Sequence, residues 1–311
     1  MSGGQAGPVV VAVGHGGTGE ALDWAAAEAS ARGCGLRVVH AEPLRWAVDP
    51  SGLAPAADIW SSRAAAEQIM AAALRRARAV APDVAVSAES VVGPPVPLLV
   101  SAGRGAQLLV LGSRDTPFTW RLPALSTCDR VAGRAPCPVA VVRPLRSGPH
   151  AGSSPGVVVG VGGRGACAGV LAVAFRAAAQ RGVPVRVVHA WSPDVPADHE
   201  AVCGPAAAAE ERARLVVDEA LAGWRSRFAD VVVETRLPVD DPAAALVRES
   251  AGASLTVVGS RPRTRVGTAL VGSVSRSVAR RARCPVVVVR TATAERPGVA
   301  VDDRRRRAPW Q

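Results

Sequence analysis

The 311-residue sequence has no lysine, no tyrosine and only three phenylalanines. Each absence removes a class of function. A Walker A phosphate loop requires a lysine, so that loop is excluded outright. Scarce aromatics leave no aromatic–basic interleaving of the kind that stacks single-stranded bases, so nucleic acid is not an expected partner. The six cysteines (Cys34, Cys128, Cys137, Cys167, Cys203 and Cys284) include no C-x-x-C pair, which argues against a zinc site. Cys137 and Cys284 each precede a proline and an apolar run, and they read as small buried hydrophobes. No apolar run approaches the ~18 residues of a membrane span. The opening Met1–Pro8 has no basic stretch of the signal-peptide kind. A cytoplasmic protein without a membrane partner is expected. No G-x-S-x-G or H-E-x-x-H set occurs, so no catalytic or metal-ligating residues are assigned and no enzyme is expected.

What is present is apolar, basic and repetitive. All 37 basic residues are arginine, against 26 acidic ones, for a formal charge of +11. That balance favours anions, although Arg304–Arg307 contributes part of it from the C-terminal tail. The richness in Ala, Val, Gly and Pro fits a GC-rich genome, so each single arginine says little about function. The length suggests two domains, and a repeat supports that. Val9–Gly14 (VVVAVG) returns 148 residues later as Val157–Gly162 (VVVGVG). Val38–Ala41 (VVHA) returns 149 residues on as Val187–Ala190, and Val110–Arg114 (VLGSR) returns 147 residues on as Val257–Arg261 (VVGSR). Cys137-Pro-Val and Arg143 return as Cys284-Pro-Val and Arg290, again 147 residues on. Offsets this steady mean two copies of one domain, each too long for a solenoid unit.

Within each copy, valine-rich runs alternate with alanine-rich helical stretches. Strands are expected at 9–13, 36–40, 84–91, 108–111 and 139–142, with helices at 20–31, 62–79, 96–102 and 127–134. Copy two repeats the plan, with strands at 157–161, 185–189, 231–236, 254–258 and 286–289. Its helices are expected at 167–180, 206–228, 243–251 and 274–282. Near-continuous apolar strands joined by helices describe a parallel sheet covered on both faces. Residues 144–155 form a Pro/Gly/Ser linker, and Thr291–Gln311 reads as an unpacked basic tail.

Together, twice and in order, these pieces resemble the universal stress protein family in its tandem two-domain form, from Val9 to Arg290. The resemblance implies an α/β fold of two tandem Rossmann-like (HUP-type) domains. Each would be a five-stranded parallel sheet of order 3-2-1-4-5. The division would be domain one at 1–144, a linker at 145–155, domain two at 156–291 and a tail at 292–311. It also implies a stress-associated binding or regulatory module whose copies pair along their last strands, 139–142 and 286–289, with room for a homodimer.

ATP-binding members carry G-x2-G-x9-G-[ST] after strand four. Copy two offers Gly259, Pro262 in place of the second glycine, then Gly272-Ser273 with the spacing kept. Copy one offers only Gly112 and Ser126, with Asp115 and Leu125 at the other two positions. The acidic residue that such members place just after strand one is replaced by Gly14 and Gly162. A glycine-permissive loop before a helix N-terminus suits a phosphate, because free N–H groups and the helix dipole both favour an anion. The nucleotide-binding residues implied are therefore Gly162, Gly259, Arg261, Arg263, Gly272, Ser273, Val274 and Ser275, with ATP as the cofactor. Arg265 adds charge to the same loop. The plainer alternative is that Ser273 N-caps the helix.

Two other readings stay open. Gly14–Gly19 and Gly160–Gly165 fit G-x-G-x-x-G, and Glu42 stands where a dinucleotide site places its ribose-binding acid, with Trp191 at the matching position of copy two. A protein-interaction module without ligand is the third. His40 and His189 end the second strands, as ligand-facing polarity or strand-end packing. Trp24, Trp46, Trp60, Trp120, Trp191 and Trp224 are expected to cap the cores, with Trp46 and Trp191 near a cleft.

Overall fold

The structure is a computed structural model. It describes residues 7–14, 19–42, 56–113, 126–144, 155–162, 167–191, 205–260 and 271–291, with backbone alone at 56–62 and 205–206. Copy one runs β1 (Val9–Val13), α1 (Gly19–Ala31), β2 (Leu36–Glu42), α2 (Ala56–Val80), β3 (Val86–Val92), α3 (Pro95–Ala102), β4 (Leu108–Gly112), α4 (Thr127–Ala132) and β5 (Val139–Val142). Copy two runs β6 (Val157–Gly160), α5 (Ala168–Arg181), β7 (Val185–Val188), α6 (Pro205–Leu221), α7 (Trp224–Arg227), β8 (Val233–Arg236), α8 (Pro242–Glu249), β9 (Leu255–Ser260), α9 (Ser273–Arg281) and β10 (Val286–Arg290).

The strands form one ten-stranded sheet, β3-β2-β1-β4-β5-β10-β9-β6-β7-β8. Each half therefore has the order 3-2-1-4-5, with parallel pairing inside it. At the seam β5 and β10 pair antiparallel, Val139 opposite Val288 and Val141 opposite Val286. These strands would otherwise be edges with unpaired backbone groups.

Successive residues of a strand face opposite sides, which explains why the runs are apolar throughout. Val9 and Val11 enter one core with α1, α2, α5 and α6; Val10 enters the other with α3, α4, α8 and α9. Two corrections to the sequence expectations follow. The helix expected over 206–228 breaks at Gly223, whose φ of +77° few other residues adopt cheaply. The break lets Trp224 stack on Phe175 at a centroid distance of 5.5 Å and Phe228 pack tilted against it at 5.4 Å. Composition alone also misplaces Thr291 in the tail, whereas the division at 291/292 leaves it outside. Thr291 is buried, and its N–H (3.0 Å) and hydroxyl (3.3 Å) both donate to the Ser260 carbonyl.

A chain ending at Thr291 is expected to melt with the full chain, whereas one ending at Arg290 loses both bonds and about 1 kcal/mol each. Thermal unfolding of the two truncations checks this. Equal melting of both would show that Thr291 contributes nothing. Residues 292–311, the linker stretch 145–154, and Trp46, Trp60, Trp120 and Cys203 lie outside the described residues or side chains.

Candidate functional site

In an open α/β sheet, ligands bind beyond the carboxyl ends of the strands where the strand order reverses. In copy two that point lies between β6 and β9, which pair directly. Gly162 follows β6 and is exposed, and Gly259 is near the end of β9. The loop 261–270, with Arg261, Pro262, Arg263 and Arg265, lies outside the described residues.

Both ends of that loop are held. The Gly272 N–H donates to Oγ of buried Ser260 at 3.2 Å. The hydroxyl of Ser275, also buried, donates to the Gly259 carbonyl at 2.6 Å. This corrects one expectation: the Ser275 hydroxyl hydrogen is spent on the fold, not offered to a phosphate. It corrects a second as well. The residue in the cap position of α9 is Gly272, with no side-chain cap, and Ser273 is the exposed first residue of the helix. Every helix leaves its first amides without an intrahelical acceptor. Here those are Ser273, Val274 and Ser275, while the Arg276 N–H already bonds the Gly272 carbonyl at 3.0 Å. Val274 is half-buried against the core, which leaves its backbone as its polar contribution.

Copy one solves the same helix end differently. Ser126 caps α4 in a full capping box with Asp129. The Asp129 N–H donates to Ser126 Oγ at 3.1 Å, and the carboxylate accepts the Ser126 N–H at 3.2 Å and hydroxyl at 2.9 Å. A buried protein carboxylate therefore already holds the helix N-terminus of copy one. The signal was present in the sequence as Ser126-x-x-Asp129, and the motif comparison passed over it. In copy two the residue matching Asp129 is Arg276. Cys128 takes the place of Ser275 and donates to the Gly112 carbonyl at 3.7 Å. Burial, together with the Asp129 charge, pushes the Cys128 thiol up to about 11, so it stays protonated at neutral pH. Buried Cys137 and Cys284 are likewise raised to about 11 by burial. Asp115 and Leu125 lie outside the described residues.

The remaining candidates have structural employment. His40 Nδ1 lies 2.8 Å from the Val13 carbonyl and His189 Nδ1 2.9 Å from the Val161 carbonyl, so both tie a first strand to a second. Since a carbonyl only accepts, these nitrogens carry the proton. The Trp191 indole N–H donates to the Leu237 carbonyl at 2.9 Å. Glu42 accepts a hydrogen bond from the Ser90 hydroxyl. Among the described residues no cluster of His, Cys, Asp or Glu can hold a metal ion, and no helix is long and apolar enough to cross a membrane.

Comparison with known proteins matches the whole plan. The universal stress protein family profile fits residues 6–143 and again 156–290. A universal stress protein of Mycobacterium tuberculosis strain H37Rv is 37% identical over 277 residues, covering 86% of this chain and 91% of its own. A second from the same strain is 35% identical, covering 87% and 91%. A crystal structure of a universal stress protein from Archaeoglobus fulgidus superposes with a TM-score of 0.69 at 18% identity, covering 94% of this chain and 98% of its own, which supports the fold. The chain belongs to the universal stress protein family.

Proposed function

We propose that this protein is a regulatory binding module of the stress response, without catalytic activity of its own, that takes ATP or a related adenine nucleotide in its second half. The observation that carries the reading is the contrast between two equivalent helix ends. Helix α4 is closed by the Asp129 carboxylate, while α9 has neither side-chain cap nor acid. The residues that would hold the phosphates are Gly272, Ser273 and Val274, with the backbone at Gly162 and Gly259 bordering the same crevice. Arg261 and Arg263 would add charge from the loop. The choice of adenine rests on the family motif, and the choice of phosphate on the helix end. Copy one acts as the structural partner that completes the sheet, so the two halves work as one paired unit through β5 and β10. Boundaries at 144/145, 155/156 and 291/292 fit this division.

The dinucleotide reading is less well supported, because Trp191, at the position of the ribose-binding acid, gives its indole N–H to the main chain. Isothermal calorimetry of the full chain with ATP, and separately with NAD, tests the proposal. One ATP site per chain is expected. No heat with ATP up to about millimolar, a free energy weaker than about −4 kcal/mol, would overturn it in favour of a ligand-free interaction module; heat with NAD alone would favour the dinucleotide site.

A further inference from the structure

The two faces of the sheet neutralise their arginines very differently at the seam. On one face the flanking helices are α1 and α5. Residues 19–33 and 167–182 there carry three arginines (Arg32, Arg176, Arg181) and three carboxylates (Glu20, Asp23, Glu28). Arg32 and Arg181 converge from the two halves on one buried acid, Glu28. On the other face the flanking helices are α4 and α9. Residues 126–138 and 272–285 carry six arginines (Arg130, Arg134, Arg276, Arg280, Arg281 and Arg283) against the single carboxylate of Asp129. That carboxylate is buried in the capping box. Five of the six, all but Arg283, have no ion pair among the described residues.

The seam draws these charges together. Arg290 reaches from β10 across to the turn that follows α4, where its guanidinium donates to the Arg134 carbonyl at 3.2 Å. Arg280 of α9 borders the same small cleft as the cap residue Ser126 and Cys128, Asp129 and Ala132 of α4. Arg130, Arg280, Arg281 and Arg283 are exposed. Like charges gathered without counter-charge raise the local potential and oppose folding, whereas an anionic partner reverses the sign of the effect.

The chemistry of the face narrows the partner. Residues 126–138 and 272–285 contain no aromatic, asparagine or glutamine, so the face lacks aromatic stacking platforms and the bidentate amides that read adenine. None of the exposed large hydrophobics (Val80, Val92, Leu215, Val232, Val239) lies on α4 or α9. An interfacial membrane helix inserts apolar side chains, and a protein interface is anchored by aromatic or apolar ones. This face offers neither. It offers guanidiniums, whose planar forks match phosphate oxygens.

We infer that the α4–α9 face binds the phosphate backbone of duplex nucleic acid through charge, without regard to sequence. Inorganic polyphosphate presents phosphates without a duplex and serves as the comparison. The inference is independent of the nucleotide site, which uses the opposite end of α9. It also revises the expectation that nucleic acid is no partner, since that expectation rested on base stacking, which backbone binding does not need.

The test uses the full chain and two triple variants of equal charge change. One is Arg280→Gln with Arg281→Gln and Arg283→Gln, on this face. The other is Arg75→Gln with Arg78→Gln and Arg212→Gln, exposed residues of α2 and α6 on the opposite face. Anisotropy with a fluorescent inorganic polyphosphate and with a fluorescent 20-base-pair duplex is read between about 50 and 200 mM salt. The α9 triple is expected to lower affinity at least tenfold, and on the duplex to reduce the slope of log K against log salt by about 2 to 3, close to one per lost phosphate contact. The opposite-face triple is expected to leave the slope unchanged and affinity within about threefold. Binding of polyphosphate without binding of the duplex would overturn the inference. Equal losses from the two triples would reduce the effect to net charge and overturn the inference, as would failure of the unmodified chain to bind either probe at low salt. An intact ATP response in the α9 triple would separate a negative result here from failure of the nucleotide reading.

Discussion

Replacing Gly272 with valine is expected to abolish ATP binding in calorimetry while leaving the fold intact. Among the described residues a Cβ at Gly272 meets nothing closer than Ser275 Oγ at 3.7 Å, an ordinary contact, and its φ of −59° suits any residue. The described part of the fold therefore has no need of glycine there. A phosphate approaching the uncapped amides of α9 does, because the valine branch would stand in its path. Losing even one charge-assisted donor costs about 1.5–3 kcal/mol, roughly tenfold or more in affinity. Ser126→Ala is the matched control. It removes a cap and about 1 kcal/mol of stability from copy one, with ATP binding unchanged. If Gly272→Val binds ATP as the unmodified chain does, the phosphate does not approach α9 at this point.

Replacing Glu28 with alanine is expected to lower the unfolding free energy by about 3 kcal/mol, the range for breaking a buried ion pair. The Glu28 side chain is 2% exposed. Its Oε1 accepts from Arg32 Nε at 2.9 Å and a terminal nitrogen at 2.7 Å, and its Oε2 accepts from Arg181 of the other half. Without it, two guanidiniums meet at the seam with no counterion. The comparison is Asp23→Ala, which breaks the ion pair with Arg76 at 2.6 Å. Those side chains are 36% and 52% exposed, so solvent screens them and the loss is expected to be much the smaller of the two. Urea unfolding followed by circular dichroism measures both. Losses of similar size would mean that Glu28 does nothing special for the seam.

Local and repeated features were readable in the sequence. Strand runs such as Val9–Val13 and Val139–Val142 coincide with β1 and β5, because burial on both faces leaves an unbroken apolar signature. The repeat offsets supplied the halves. What escaped was non-local. Glu28 and Arg181 are 153 residues apart, and nothing in either neighbourhood announces the other. The Gly223 break was hidden in an alanine-rich helical run, since its cause is an aromatic stack with Phe175 from another helix. At the candidate site, the glycines stood out from their spacing. The true use of Ser275 did not, because a hydroxyl before a buried turn looks the same in sequence whether it faces a ligand or a carbonyl.

The antiparallel joint between β5 and β10 has a further consequence. Parallel strands within each half point their carboxyl ends the same way, and the joint turns the second half over. The two crevices therefore open at opposite rims of one sheet. No single small ligand bridges them. After duplication, one rim was free to close its helix end with an internal lock such as the Ser126–Asp129 box while its twin kept an open helix end. The shared joint held both to one architecture, and their geometry allowed the chemistry at each rim to drift separately.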